Sequence, residues 1–208
     1  MLLQSEIEFL KERFKKPLPG VDAQYMMAPK GRRSAVRDSG SEQASKVSSV
    51  LILLFPDNSG KAQTVLIKRP MNSGVHSGQI ALPGGKHESS DLSYQHTALR
   101  EAHEEIGVPA NEVDVVGALT ELYIPASNFL VHPFVGFIKH SPQFQINHYE
   151  VDSIIPVHLT TLLSMNAGNE PFLTSYGTHH APCYYLENHK IWGATAMILA
   201  EFRSLWGV

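Results

Sequence analysis

Residues 78–108 read GQIALPGGKHESSDLSYQHTALREAHEEIGV, and this stretch decides the fold. The pair Gly84-Gly85 stands ahead of a run with helical spacing that carries Arg100, Glu101, Glu104 and Glu105. Each residue of a helix advances about 100°, so carboxylates at offsets of zero, three and four crowd onto one side. Like charges that close repel unless a cation lies between them. A small hard ion, Mg²⁺ or Mn²⁺, is the natural partner of clustered oxygens. A glycine-rich loop beside such an ion suits phosphate chemistry.

The helical wheel sharpens this. Ala98, Leu99, Ala102 and Ile106 span about 100° of arc and form the core-facing stripe. The mean direction of the three glutamates lies about 120° from the centre of that stripe, with Glu105 nearest to it. A purely solvated acidic face would stand opposite the core. This one borders it.

Residues 84–108 resemble the Nudix box of the Nudix hydrolase superfamily, a glycine-opened loop and helix ending in R-E-x-x-E-E-x-G-x. Here the end reads Arg100-Glu101-Ala102-His103-Glu104-Glu105-Ile106-Gly107-Val108. Gly107 suits a helix C-terminus, where a positive φ is usual. Asp91 takes the acidic position in the middle of the box, and the gap from Asp91 to Arg100 is one residue longer than the general pattern. That spacing resembles the coenzyme A pyrophosphatase branch.

More of the chain agrees with that branch, over about residues 48–205. Val65-Leu66-Ile67-Lys68-Arg69, followed by His76-Ser77-Gly78-Gln79-Ile80-Ala81-Leu82-Pro83-Gly84-Gly85, is similar to its CoA-associated motif. Tyr123 to Pro133 and Ile191-Trp192-Gly193-Ala194-Thr195-Ala196 resemble two later segments. Within the CoA-associated motif, Pro70 and Gly74 stand where the family has a serine and a second arginine, so a phosphate contact of the family is missing here.

The resemblance, together with the helix geometry, implies a ligand set. Glu101, Glu104 and Glu105 are the expected metal ligands, joined by the backbone carbonyl of Gly85, where glycine lets the main chain approach an ion. Arg100 is expected to orient carboxylates through charge-assisted hydrogen bonds, with Asp91 as its partner. The water-activating base varies among Nudix enzymes. Glu150 stands where the branch has an acidic residue before a valine, as a fourth ligand or base, or as an ordinary surface glutamate. Lys68, Arg69, Ser77 and Gln79 are placed for phosphate contacts. His76 and His132 lie inside resembling motifs, but a lone histidine is more often structural. No HxxxH or CxxC spacing supports zinc.

The implied reaction is divalent-metal-dependent hydrolysis of CoA or acyl-CoA to 3′,5′-ADP and 4′-phosphopantetheine. Alternatives are another nucleoside diphosphate derivative (ADP-ribose, NADH or a dinucleotide), or a Nudix-fold module that binds a nucleotide without cutting it.

Composition bounds the rest. The 208 residues are 43% hydrophobic, with 17 Lys and Arg against 20 Asp and Glu, for a net charge of −3. This is the profile of a soluble globular domain, not of a nucleic-acid-coating or polybasic membrane protein. No run reaches the roughly 18–20 apolar residues of a membrane span. The single cysteine, Cys183, cannot pair internally, and the N-terminus lacks a secretory or transit pattern, so a cytoplasmic protein is expected. A small-molecule partner is expected, and a homodimer is compatible with the sequence.

Two parts are expected: an N-terminal helix and polar connector over 1–46, and the Nudix domain over 47–208. The N-terminal helix covers 3–15. Residues 28–46, rich in Gly, Ser, Lys and Arg, read as a connector. Strands are expected at 47–55 and 63–69 around the Pro56–Gly60 turn, then helix 92–106, strands 112–123 and 129–138, a short helix 156–164, a strand at 182–187 and helix 194–205. These elements fit an α/β/α sandwich with a mixed β-sheet, the Nudix fold.

Overall fold

The computed structural model describes residues 1–29, 46–71, 77–174 and 177–208. Most of the polar connector, with Arg32, Arg33 and Arg37, as well as Gly74 and His76, lies outside the described residues.

Helix α1 (Leu3–Arg13) and a short helix α2 (Gly20–Tyr25), which the sequence reading did not anticipate, precede the sheet. Strand β1 (Lys46–Pro56) is the centre of the molecule. Its run Val50-Leu51-Ile52-Leu53-Leu54-Phe55 is apolar on both faces, as a strand covered on both sides must be. Leu51, Leu53 and Phe55 point to one core; Ile52 and Leu54 point to the other.

The Pro56–Gly60 turn closes as its composition predicts. Asp57 Oδ1 accepts from Ser59 N at 2.7 Å and Lys61 N at 2.8 Å, and Gly60 takes φ +80°. Strand β2 (Ala62–Lys68) returns antiparallel to β1. Two short strands follow, β3 (Ile80–Ala81) on β2 and β4 (Gly84–Lys86) on β1.

Helix α3 (Tyr94–Ile106) begins with Ser93 accepting from His96 N and ends on Gly107 at φ +74°. It lies on the first core through Ala98, Leu99, Ala102 and Ile106. After a short 3₁₀ turn, β5 (Asp114–Ala118) and β6 (Leu122–Ile124) both pair antiparallel with β7 (Phe129–Phe137). Strand β7 in turn runs parallel to β1, from Lys46↔Phe129 to Leu54↔Phe137. The sheet is therefore mixed, with α3 in the β1-to-β7 crossover.

The expected single strand at 112–123 is broken in the middle. Thr120 N turns away from β7 to the buried carboxylate of Glu201, 3.2 Å away. The expected helix at 156–164 also starts late: β8 (Ser153–His158) pairs with β2 from Gln63 to Lys68, and α4 (Leu159–Ser164) follows. Pro156 is accommodated because β8 is an edge strand.

A three-stranded antiparallel sheet of β9 (Ala167–Thr174), β10 (Gly177–Leu186) and β11 (His189–Trp192) leads into α5 (Gly193–Ser204). Only the middle of this sheet was legible beforehand. Helices α1 and α5 cover the face of the main sheet opposite α3, and Leu3, Ile7 and Leu10 of α1 share one core with Ile52, Leu54 and Phe202. The architecture is the expected α/β/α sandwich around a mixed sheet. No helix among the described residues is long and apolar enough to cross a membrane.

Candidate active site

The site forms where β4 meets α3. Ser49 of β1 stands opposite Gly85 of β4 on one side and His132 of β7 on the other, so three neighbouring strands present these positions to α3. A Cβ on Gly85 would collide with the carboxylate of Glu101. The glycine is thus required by close approach, not by its φ. Gly84, at φ +149°, abuts Ser49 O and Val50, and its N–H donates to Glu105 Oε2 at 2.8 Å.

Arg100 organises the carboxylates. Its Nε and Nη2 donate to Asp91 Oδ1 and Oδ2 at 2.8 and 3.0 Å, a bidentate pair. Nη1 lies 2.8 Å from Glu104 Oε2 and 3.0 Å from Glu101 Oε1, and Nη2 also donates to Lys86 O at 3.1 Å. Asp91 is fully buried at its side chain. It also accepts from Glu88 N at 3.0 Å and Thr97 Oγ1 at 2.9 Å, and His96 Nδ1 lies 3.0 Å away. The Arg100 guanidinium, above all, holds the Asp91 carboxyl well below the usual carboxylate range.

The other two acids show the opposite behaviour. Burial pushes Glu105 up to about 7, partly offset by the Gly84 N–H and the charge of Arg69, while Glu101 and Glu150 add to the rise. Burial likewise raises Glu101, against the pull of Arg100, with Glu104 and Glu150 adding to it. Arg69 and Glu150, distant in sequence, therefore both act on this cluster. Glu150 reaches it on a turn fastened to α3: Asn147 N donates to Glu105 O at 3.0 Å, and Asn147 Nδ2 to Glu150 Oε1 at 3.2 Å.

The remaining expected contacts are more scattered. Lys68 is ion-paired with Asp152 at 3.0 Å. Gln79 O accepts from Arg69 N at 3.0 Å, and Ser77 Oγ lies 4.0 Å from Met71 Sδ. His132 is buried, stacked on Tyr94 with ring centroids 4.0 Å apart, and sits 3.4 Å from Glu121. Sequence reasoning missed Thr97, which joins Asp91 to His87 Nδ1 at 2.8 Å. A threonine one turn into a helix carries no signal of such a role.

Among the described residues, no three His, Cys, Asp or Glu side chains stand close enough together to hold an ion by themselves. The reason is visible in the contacts: Arg100 draws Glu101 and Glu104, and Gly84 N draws Glu105. The donor chemistry nonetheless fits a divalent cation. Every candidate donor is an oxygen, two of the acids are buried against the desolvation of their own charge, and the Glu101 carboxylate lies directly against the Gly85 backbone. Ser49 Oγ, fully buried in register with Gly85, finds no hydrogen-bond partner among the described residues.

The NUDIX domain family matches residues 45–176. A protein named as an uncharacterized Nudix hydrolase NudL from Photorhabdus laumondii is 35% identical over 142 residues, covering 68% of this chain and 75% of its own length. The protein of the same name from Yersinia pestis is 36% identical over 136 residues, covering 65% and 68%. Among solved structures, a Nudix hydrolase from M. smegmatis, RenU, superposes with TM-score 0.55 at 17% identity, covering 77% of this chain and 85% of that one. That likeness is one of fold. The chain belongs to the Nudix family.

Proposed function

We propose that this Nudix hydrolase cleaves the diphosphate of CoA or acyl-CoA, releasing 3′,5′-ADP and 4′-phosphopantetheine, with Mg²⁺ or Mn²⁺. The observation that supports it most is the all-oxygen set of Glu101, Glu104 and Glu105 beside Gly85, bordered by Arg69 and Glu150. The CoA assignment rests on the sequence motifs around that set, the run Gly78 to Gly85 and the lengthened Asp91-to-Arg100 spacing.

Glu101, Glu104, Glu105 and the Gly85 carbonyl would hold the cation. Once bound, a divalent ion neutralises diphosphate oxygens and makes water more acidic. Arg100 steers Glu101 and Glu104 while remaining locked to Asp91, so the acids are presented without rotational search. Arg69 places positive charge on the Glu105 side of the site, suited to a phosphate oxygen. Glu150, on its braced turn, is the group assigned to accept the water proton. The partner is a small nucleoside diphosphate derivative.

The test is a hydrolysis panel with each divalent metal: CoA, acetyl-CoA, dephospho-CoA, ADP-ribose, NADH and a diadenosine polyphosphate, with products identified. CoA is expected to give 3′,5′-ADP. Turnover of ADP-ribose or a dinucleotide far above both CoA and dephospho-CoA overturns the CoA assignment and leaves the hydrolase.

A further inference from the structure

Ser49 is a polar residue in the buried part of β1. It is 0% exposed, and its Oγ has no hydrogen-bond partner among the described residues. A buried polar group without a partner lowers stability, and in native proteins such a group marks a function or a place for water or an ion. Its position on the strand says where it points. Residues alternate faces along a strand, and Leu51, Leu53 and Phe55 all lie in the core beneath α3. The β1–β7 register runs without a break from Lys46 to Leu54. Ser49 therefore shares that face and points toward α3.

What lies next to it there is the carboxylate of Glu101. Ser49 and Gly85 are directly opposed across the antiparallel β1–β4 pair. Opposed residues hold their Cβ positions on the same face, about 4.5–5.5 Å apart. At Gly85 the Cβ position is filled by the carboxylate carbon and both oxygens of Glu101. The hydroxyl and the carboxylate are thus cross-strand neighbours in a space closed to solvent. On the other flank, His132 is stacked on Tyr94 with its Nδ1 3.4 Å from Glu121, and Ser49 Oγ makes no hydrogen bond to it. Arg100 Nη1 holds only Glu101 Oε1, at 3.0 Å. A carboxylate that ligates an ion keeps its orientation when a further donor holds it from outside, and Ser49 is the buried donor beside this one.

We propose that Ser49 is a positioning residue of the cation site, donating from Oγ to the Glu101 carboxylate when that acid holds a divalent ion. This rests on the reading of Glu101 as a metal ligand under the proposed function, and not on the identity of the substrate.

The test is Mn²⁺ binding without nucleotide, by calorimetry. Wild type, Ser49→Ala, Glu101→Ala and the double variant are compared, with unfolding temperatures recorded with and without the ion. Ser49→Ala should raise the Kd for Mn²⁺ about tenfold and diminish the Mn²⁺-induced rise in unfolding temperature. Without metal it should unfold no lower than wild type, since the hydroxyl it removes makes no bond. In the Glu101→Ala background the same change should alter Kd by less than about twofold, because the acceptor is gone. Should Glu101→Ala show no measurable binding, the Kd and the metal-free unfolding temperature of Ser49→Ala decide. A wild-type Kd in Ser49→Ala while Glu101→Ala binds weakly, an equal loss in both backgrounds, or a metal-free unfolding temperature below wild type overturns the proposal. A wild-type Kd in Glu101→Ala removes Glu101 from the ligand set, and this proposal falls with it.

Discussion

Arg100 grips Asp91 with two parallel hydrogen bonds, Nε to Oδ1 at 2.8 Å and Nη2 to Oδ2 at 3.0 Å, while its third nitrogen faces Glu101 and Glu104 at 3.0 and 2.8 Å. One guanidinium thus links a wholly buried acid to two acids of the candidate metal set. Asp91 fixes the arginine, and the arginine fixes the acids.

Removing Asp91 should therefore cost both stability and rate. Asp91→Ala leaves Arg100 largely buried without its main partner, and loss of one member of such a pair costs about 3–5 kcal/mol. Asp91 is also depressed below its unfolded value. Its stabilisation is fully present above the ordinary carboxylate pKa of about 3.9 and is lost as pH falls below it. Urea unfolding from neutral pH down to about 3 should show a smaller acid-induced loss in Asp91→Ala than in wild type. Parallel curves for the two proteins would show that the pair does not carry the acid sensitivity.

Glu104→Gln and Glu105→Gln should each lower kcat by about a hundredfold or more at saturating Mg²⁺ while the fold persists. Glu105 is 1% exposed, and glutamine retains an acceptor for the Gly84 N–H. Near-wild-type turnover in either variant, with unfolding temperature recorded on the same sample, removes that residue from the ligand set.

At Gly85 even one methyl group meets Glu101. Gly85→Ala should reduce kcat by about tenfold to a hundredfold, since a displacement near 1 Å at a reacting centre can cost that much. The loss in unfolding temperature should be slight by comparison. A loss of stability that tracks the loss of activity would make the glycine a requirement of the fold alone.

Glu201 tests whether the N-terminal segment is integral. Its wholly buried carboxylate accepts from Gly20 N at 3.2 Å, Gln24 Nε2 at 2.8 Å and Thr120 Oγ1 at 2.7 Å. At the far end of that segment, Trp206 Nε1 donates to Glu6 Oε2 at 3.0 Å. Glu201→Ala leaves the part-buried donors of Gly20 and Thr120 without this acceptor, at about 1–3 kcal/mol for each donor left unsatisfied, and should lower the unfolding temperature sharply. Protease cleavage within the first 30 residues should become faster. Wild-type resistance in Glu201→Ala would mean that apolar contacts of α1 alone hold the segment.

Much of this protein is local and so was legible along the chain. The amphipathic spacing of α3, the glycine at its end, the apolar run of β1 and the Asp57–Gly60 turn each encode their own geometry, because neighbouring residues interact at fixed offsets. The three glutamates follow from the same periodicity. What only the tertiary structure decided is long-range. Pairing of β8 with β2 converts the start of an expected helix into an edge strand, and a carboxylate on α5 splits an expected strand at Thr120. The convergence of Arg69 and Glu150 on Glu105 depends on which strands lie side by side. Periodicity cannot specify such partners, since the energy of a non-local contact depends on the residue brought opposite, not on the sequence around either one.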